Sequence, residues 1–164
     1  MIIFDASPLI HLTQIGKIEF IFKLVDYIFI PPSVYKEVIE KGLEKGYSDA
    51  VFLQEQVNLK KIQIKIPSTH DNVLHRYLHE GEAEVIELGK EIDVIMVIDE
   101  KKARMVAEQT NLLFFTTLDI LLSLKKENII SFDLFHSNIM RYAHQGWISP
   151  IVIKEYLQRG KEYE

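Results

Sequence analysis

Five short apolar runs constrain this chain more than anything else in it. Residues 2–4, 27–30, 62–66, 94–98 and 112–115 are rich in isoleucine, valine and phenylalanine, and several show no polar alternation. A strand with one face in water alternates apolar and polar side chains, whereas a strand covered on both faces has no reason to. Longer stretches with helical spacing fill the gaps: 8–15, 18–25, 32–44, 47–58, 70–79, 81–91, 100–109 and 118–127, with two more in the tail at 132–144 and 150–159. Strands that alternate with helices are joined by crossovers, which make neighbouring strands parallel. The pattern predicts an α/β fold, an open sheet with helices on both faces.

Local punctuation supports these boundaries. Ser7-Pro8 reads as an N-cap followed by proline at the first helical position, and Ser149-Pro150 repeats the device. Pro31-Pro32 closes the second run and opens a helix. Gly16, Gly42, Gly46 and Gly146 fall where helices should stop.

The 164 residues fit one domain spanning 1–164, with C-terminal helices from about residue 130. No repeat, low-complexity run or Gly/Pro/Ser-rich linker interrupts it. No apolar run approaches the length needed to span a membrane. The N-terminus lacks a basic region and a small-residue cleavage site, so no signal peptide is expected. Cysteine is absent, which excludes disulfides and Cys-ligated zinc and suits a reducing cytoplasm. The net charge of −5 argues against broad nucleic-acid binding through a basic surface. It leaves room for a nuclease whose acidic site is filled by cations.

In open α/β sheets, ligands sit beyond the carboxyl ends of the strands. Asp5 follows the run ending at Phe4, and Asp99 follows the run ending at Ile98. On neighbouring strands the two carboxylates would lie about 5 Å apart and repel, unless a divalent cation lay between them. The alternative for each is a helix N-cap. With Ser7 as the expected cap, Asp5 is left for another task. In EGEAEVIELGK, Glu82 shares a helical face with Val85, Ile86 and Gly89, whereas Glu84 and Glu87 are expected to face water. A charge inside an apolar stripe is costly unless paired or metal-bound. A helix-terminal role or a buried arginine partner would also serve Glu82. Periodicity puts Glu37 and Glu40 on the solvated side of their helix.

The order FDASPLIHL, IPPSVYKEV, GEAEVIELGKE, VIMVIDEKKARMVAE and TTLDILLSLKKENII resembles the PIN-domain superfamily over nearly the whole chain. It is most similar to the branch with D-x-S-P-L-I and G-E-A-E motifs, related to VapC-type toxins. The resemblance implies a three-layer α/β/α sandwich with a parallel five-stranded sheet of order 3-2-1-4-5. It implies a Mg²⁺- or Mn²⁺-dependent ribonuclease that leaves a 5′-phosphate and a 3′-hydroxyl, with Asp5, Glu37, Glu82 and Asp99 as its acids. Glu37 enters on the resemblance alone. Ser7 matches a position that often supports the first acid by hydrogen bonding. RNA would be the substrate, an antitoxin protein a conceivable partner, and a homodimer the common assembly. Where the branch reads G-T-L-G, this chain has Thr116-Thr117-Leu118-Asp119. Asp119 is therefore an extra carboxylate, read here as a capping-box residue in preference to a metal ligand.

Carboxylates are hard ligands suited to Mg²⁺ and Mn²⁺, and such ions can orient a phosphodiester and activate water. Lys101, Lys102 and Arg104 open the helix after Asp99 and are candidates for the RNA backbone, with Arg104 also able to pair with a site carboxylate. His75 and His79, four apart with His70 nearby, read as ordinary exposed residues. His11, His136 and His144 suggest nothing sharper. Trp147 and Ile148 read as core or dimer surface. A PIN-like module that no longer cuts and a different phosphoryl hydrolase are the alternatives.

Overall fold

The computed structural model describes residues 1–144 and 149–163. The helix stop expected at Gly146 and the tail residues Trp147 and Ile148 lie outside the described residues. Two compact units divide the chain, Met1–Thr116 and Thr117–Glu164.

The first unit is built on a parallel sheet of five strands: β1 (Ile2–Phe4), β2 (Ile28–Ile30), β3 (Ile62–Ile64), β4 (Met96–Val97) and β5 (Phe114–Phe115). Their order is β3-β2-β1-β4-β5. Central β1 is apolar at every position because both its faces are covered, and Ile3 and Phe4 are fully buried. The third run ends sooner than its sequence suggests, since Lys65 donates to the Ile30 carbonyl and Pro31 then ends its neighbour.

Between β1 and β2 lie α1 (Ala6–Gln14) and α2 (Ile18–Leu24). Next come α3 (Pro32–Tyr35), a π-helical turn (Lys36–Glu40), α4 (Lys41–Glu44) and α5 (Ser48–Asn58). α6 (Asn72–Tyr77) and α7 (Glu80–Ile92) cross from β3 to β4, and α8 (Lys101–Gln109) leads to β5. Parallel crossovers are right-handed, and strand order reverses direction at β1. The helices before β3 and those after it therefore take opposite faces of the sheet.

Three local expectations need correction. Helix α1 starts two residues before Pro8, with Asp5 rather than Ser7 at its N-cap. Proline in a first turn forfeits no helical hydrogen bond, so the helix runs through it. Gly42 does not stop a helix; it lies inside α4, where a Cβ would collide with Ala50 of α5. α6 ends at Tyr77 with Leu78 extended, so His75 and His79 do not share a helix. Gly16 and Gly46 behave as expected, each with positive φ after a helix.

The second unit holds α9 (Thr117–Lys126), α10 (Phe132–His144) and α11 (Pro150–Lys161). Leu121, Leu124, Phe135 and Ile139 form its core, and Gly160 lets α11 lie directly against the Phe135 ring. Ser149 caps α11 as the sequence predicts, accepting from the Val152 N–H. Among the described residues, no helix is long and apolar enough to cross a membrane.

Candidate acidic metal centre

β1 delivers Asp5 to the carboxyl edge of the sheet, at the point where strand order reverses. Its backbone N–H donates to the Val97 carbonyl at 3.1 Å, which fixes it against the end of β4. Its side chain makes no distal helix-capping bond; the adjacent Ala6 N–H is its main favourable contact. Only 6% of Asp5 is exposed. Asp99 follows β4 two residues beyond the partner of Phe4, so the register puts it beside the end of β1. The ends of the two neighbouring strands thus lie side by side, and the Asp99 charge acts on the Asp5 carboxyl.

α7 brings Glu82. Its Oε2 accepts a hydrogen bond from the His79 N–H at 3.1 Å, closing the first turn of the helix. The helix-terminal role weighed for Glu82 is therefore real, and it coexists with burial. At the adjacent Gly81, a Cβ would lie 3.2 Å from Val34 and 3.9 Å from the Asp5 Oδ1. Glycine here lets the start of α7 close over Asp5. Glu84 accepts from the Ser33 N–H at 2.9 Å and binds α7 to the first turn of α3.

Glu37 sits in the π-helical turn and is exposed, as its periodicity suggests. A π-turn shifts the phase of everything that follows, so a regular wheel misplaces the side chains around it. Here exposure means facing a cleft. Asp5, Ser7, Lys36, Glu37, Lys41, His79 and Glu82 line a depression of about 470 Å³. Ser7 lines the same depression, two residues along the chain from Asp5, and no hydrogen bond joins the two side chains among the described residues. A larger groove of about 660 Å³, between the end of α1 and the start of α5, is lined by only two acids, Glu19 and Asp49.

Electrostatics bind the acids into one group. Burial pushes the Asp5 carboxyl up to about 7, and the charges of Glu82, Glu37 and Asp99 push the same way against the opposing Ala6 N–H. Three acids from three other segments are thus each within electrical reach of Asp5. Glu82 is also raised, first by burial and then by Glu100, against the His79 N–H and Lys102. Asp5 is the more deeply buried of the two and feels the Glu82 charge as repulsion. Among the described residues, no lysine, arginine or histidine forms an ion pair with Asp5.

This donor set fits a hard divalent cation. All four groups offer carboxylate oxygens, and the innermost lacks a cationic partner among the described residues. No three of the acids bring oxygens within 4.8 Å of one another among the described residues. An ion that keeps several of its waters can span such a gap.

Other expected residues are distributed as follows. Arg104 pairs with no site carboxylate in the way considered; its Nε donates to the Asp99 backbone carbonyl at 3.2 Å. Lys101 and Lys102 are exposed, and Lys102 lies over the Tyr77 ring, 5.6 Å from its centre. Asp119 is in the first turn of α9, in the second unit, where Tyr156 of α11 donates a hydrogen bond to it. His11, unremarkable in the sequence, comes within 3.9 Å of the Asp99 carboxylate. Lys36 and Lys41 were also missed; only the π-turn turns both toward the cleft, and sequence periodicity does not reveal one.

The expectation that Glu84 and Glu87 face water is wrong. Glu84 is half-buried and Glu87 is 2% exposed. α7 is enclosed on nearly all sides, so a one-face wheel describes it poorly.

No curated protein and no solved structure gives a match to the chain. A protein-family model described as a PIN domain matches residues 1–162, a span that includes every acid of the cleft. The chain belongs to the PIN-domain family.

Proposed function

We propose that this protein is a Mg²⁺- or Mn²⁺-dependent endoribonuclease that hydrolyses RNA phosphodiester bonds at the cleft around Asp5. PIN domains are in general nucleases and bind divalent metals. The observation that carries the reading for this chain is the raised Asp5 carboxyl, buried and repelled by Glu82, Glu37 and Asp99. The Ala6 N–H offsets this only in part, and a bound cation would stabilise the anion further.

Asp5 and Asp99, at the ends of the adjacent strands β1 and β4, would hold that cation at the carboxyl edge of the sheet. Glu82 and Glu37 would close the other sides. When bound, the cation supplies the charge that favours water attack on phosphorus and departure of the 3′-oxygen. Lys36 and Lys41 would meet the phosphates entering the cleft. The P–O3′ bond breaks, water supplies the new oxygen, and the products carry a 5′-phosphate and a 3′-hydroxyl. No side-chain nucleophile is required.

The test is cleavage of RNA by the purified protein with Mg²⁺ or Mn²⁺, and with EDTA. EDTA should abolish it, and Asp5→Asn and Asp99→Asn should each lower the rate by about 10³-fold or more, the scale of losing a main electrostatic element of a site. Asp119→Asn should leave it intact. Undiminished cleavage by the Asp5 and Asp99 variants would mean a different centre. As the toxin of a toxin–antitoxin pair, the protein would arrest growth when expressed alone, and Asp5→Asn would relieve the arrest.

A further inference from the structure

We propose that His70, His75 and Glu87 form a second metal site, selective for a transition-metal dication such as Zn²⁺ and separate from the acidic cleft. Each offers one ligand atom, and the three atoms lie within 4.8 Å of one another. Among the described residues, no other set of three His, Cys, Asp or Glu residues does this. Two imidazoles and one carboxylate suit zinc and its neighbours, whereas magnesium favours oxygen.

The environment is built for such a group. Glu87 is almost wholly buried on α7, and its Oε1 takes the His75 Nε2 at 3.1 Å and the Asp71 N–H at 2.6 Å. Two partners converge on one oxygen of a carboxylate lodged in the core. The His70 ring faces the His75 ring, centres 4.0 Å apart and planes 35° from parallel. A cation between them would need His70, which is exposed, to turn about its own side-chain bonds.

The loop that carries His70 is already ordered by the polar edge of α7. Ser68 donates to Glu91 through its N–H at 2.8 Å and its hydroxyl at 2.9 Å. Lys90 meets Asp71 at 3.5 Å, and Asp71 itself caps α6 through the Val73 and Leu74 N–H groups. His70 therefore hangs between two fixed points, so binding orders few groups anew. The Asp71 N–H on Glu87 would remain as an outer support of the kind that orients metal ligands. Three protein ligands leave a fourth position for water. The site would clip loop, α6 and α7 together about 7.5 Å along the α7 axis from Glu82, by the rise of five residues.

Zinc alone is the probe. Isothermal titration of the full chain in excess Mg²⁺ should show one equivalent of Zn²⁺ bound. His70→Ala, which removes an exposed residue and threatens no core, should weaken it at least about tenfold, as should His75→Ala. Asp5→Asn should leave it unchanged. Co²⁺ substitution should give visible bands of a low-symmetry nitrogen–oxygen site, lost in His70→Ala. The proposal is overturned if Zn²⁺ fails to bind, if both histidine variants bind as the parent does, or if Asp5→Asn alone abolishes binding.

Discussion

Asp5 and Glu87 are, with Glu82, the deeply buried carboxylates among the described residues, and their surroundings are opposite in kind. Around Asp5 the neighbouring charges are three further acids, with one adjacent backbone N–H in compensation. Around Glu87 the neighbours are an imidazole and a backbone N–H, both donors or able to be. One site is tense without a cation; the other is satisfied without one. Burial alone thus says little about what a carboxylate is for. The sign of what surrounds it decides.

The largest expected effect breaks the comparison at Asp5. Its carboxyl titrates near 7 in the folded chain and near 3.8 in a chain without burial. The folded state holds the proton more tightly, so stability is fullest below about pH 3.8 and falls as pH rises through 7. Linkage puts the full loss at up to about 4 kcal/mol in metal-free protein. Asp5→Asn should remove this slope and make the metal-free protein more stable than the parent at pH 8. Urea unfolding in EDTA from pH 5 to 8 measures it. Equal pH profiles for parent and variant would mean that Asp5 is neither as buried nor as crowded as described. Added Mg²⁺ should stabilise the parent and leave the variant nearly unmoved.

The other half of the comparison should respond differently. Glu87→Ala strands the Asp71 N–H and the His75 ring, at a cost of about 1–3 kcal/mol each way of counting an unsatisfied buried group. Unlike the Asp5 effect, this loss keeps one sign: the variant is less stable than the parent, and EDTA in place of Mg²⁺ does not alter the difference. Denaturant midpoints in the two buffers check it. A Glu87→Ala variant as stable as the parent would show that its two contacts do not hold α6 to α7.

The sequence announced Asp5 and Asp99 more clearly than Glu87, and the reason is geometric. A strand end projects its next residue to a place fixed by the sheet, so an apolar run followed by aspartate marks a carboxylate at the sheet's carboxyl edge, while the adjacency of the two strands is not written in either run. The sheet order came from resemblance, and the structure has it. Helical positions were harder. Glu82 was readable because it shared a face with Val85 and Ile86. Glu87 was misread because α7 packs on more than one side, and no wheel drawn from α7 alone contains α6 or the loop through His70. Glu37 depended on resemblance because a π-turn is set by packing and leaves no periodic trace. Ser7 was misread as the cap because Pro8 tolerates any first-turn position without a donor, not the first alone.

The smallest effect concerns the boundary between the two regions, at Lys102. Its ammonium lies over the Tyr77 ring of α6, and it lines a small cavity of about 310 Å³ with His79, Glu82 and Glu100. Lys102 lowers the raised Glu82 carboxyl, so it already faces the acidic cleft electrically. If it also meets an RNA phosphate, Lys102→Ala should weaken RNA binding a few-fold at low salt and converge on the parent at high salt. The slope of log affinity against log salt should then fall by about 0.7, one single-strand phosphate contact. If Lys102 serves only the Tyr77 ring, that slope stays put and stability drops by about 0.5–1 kcal/mol instead. The two readouts are independent, so a salt titration of binding beside one unfolding curve assigns this lysine to the substrate or to the scaffold.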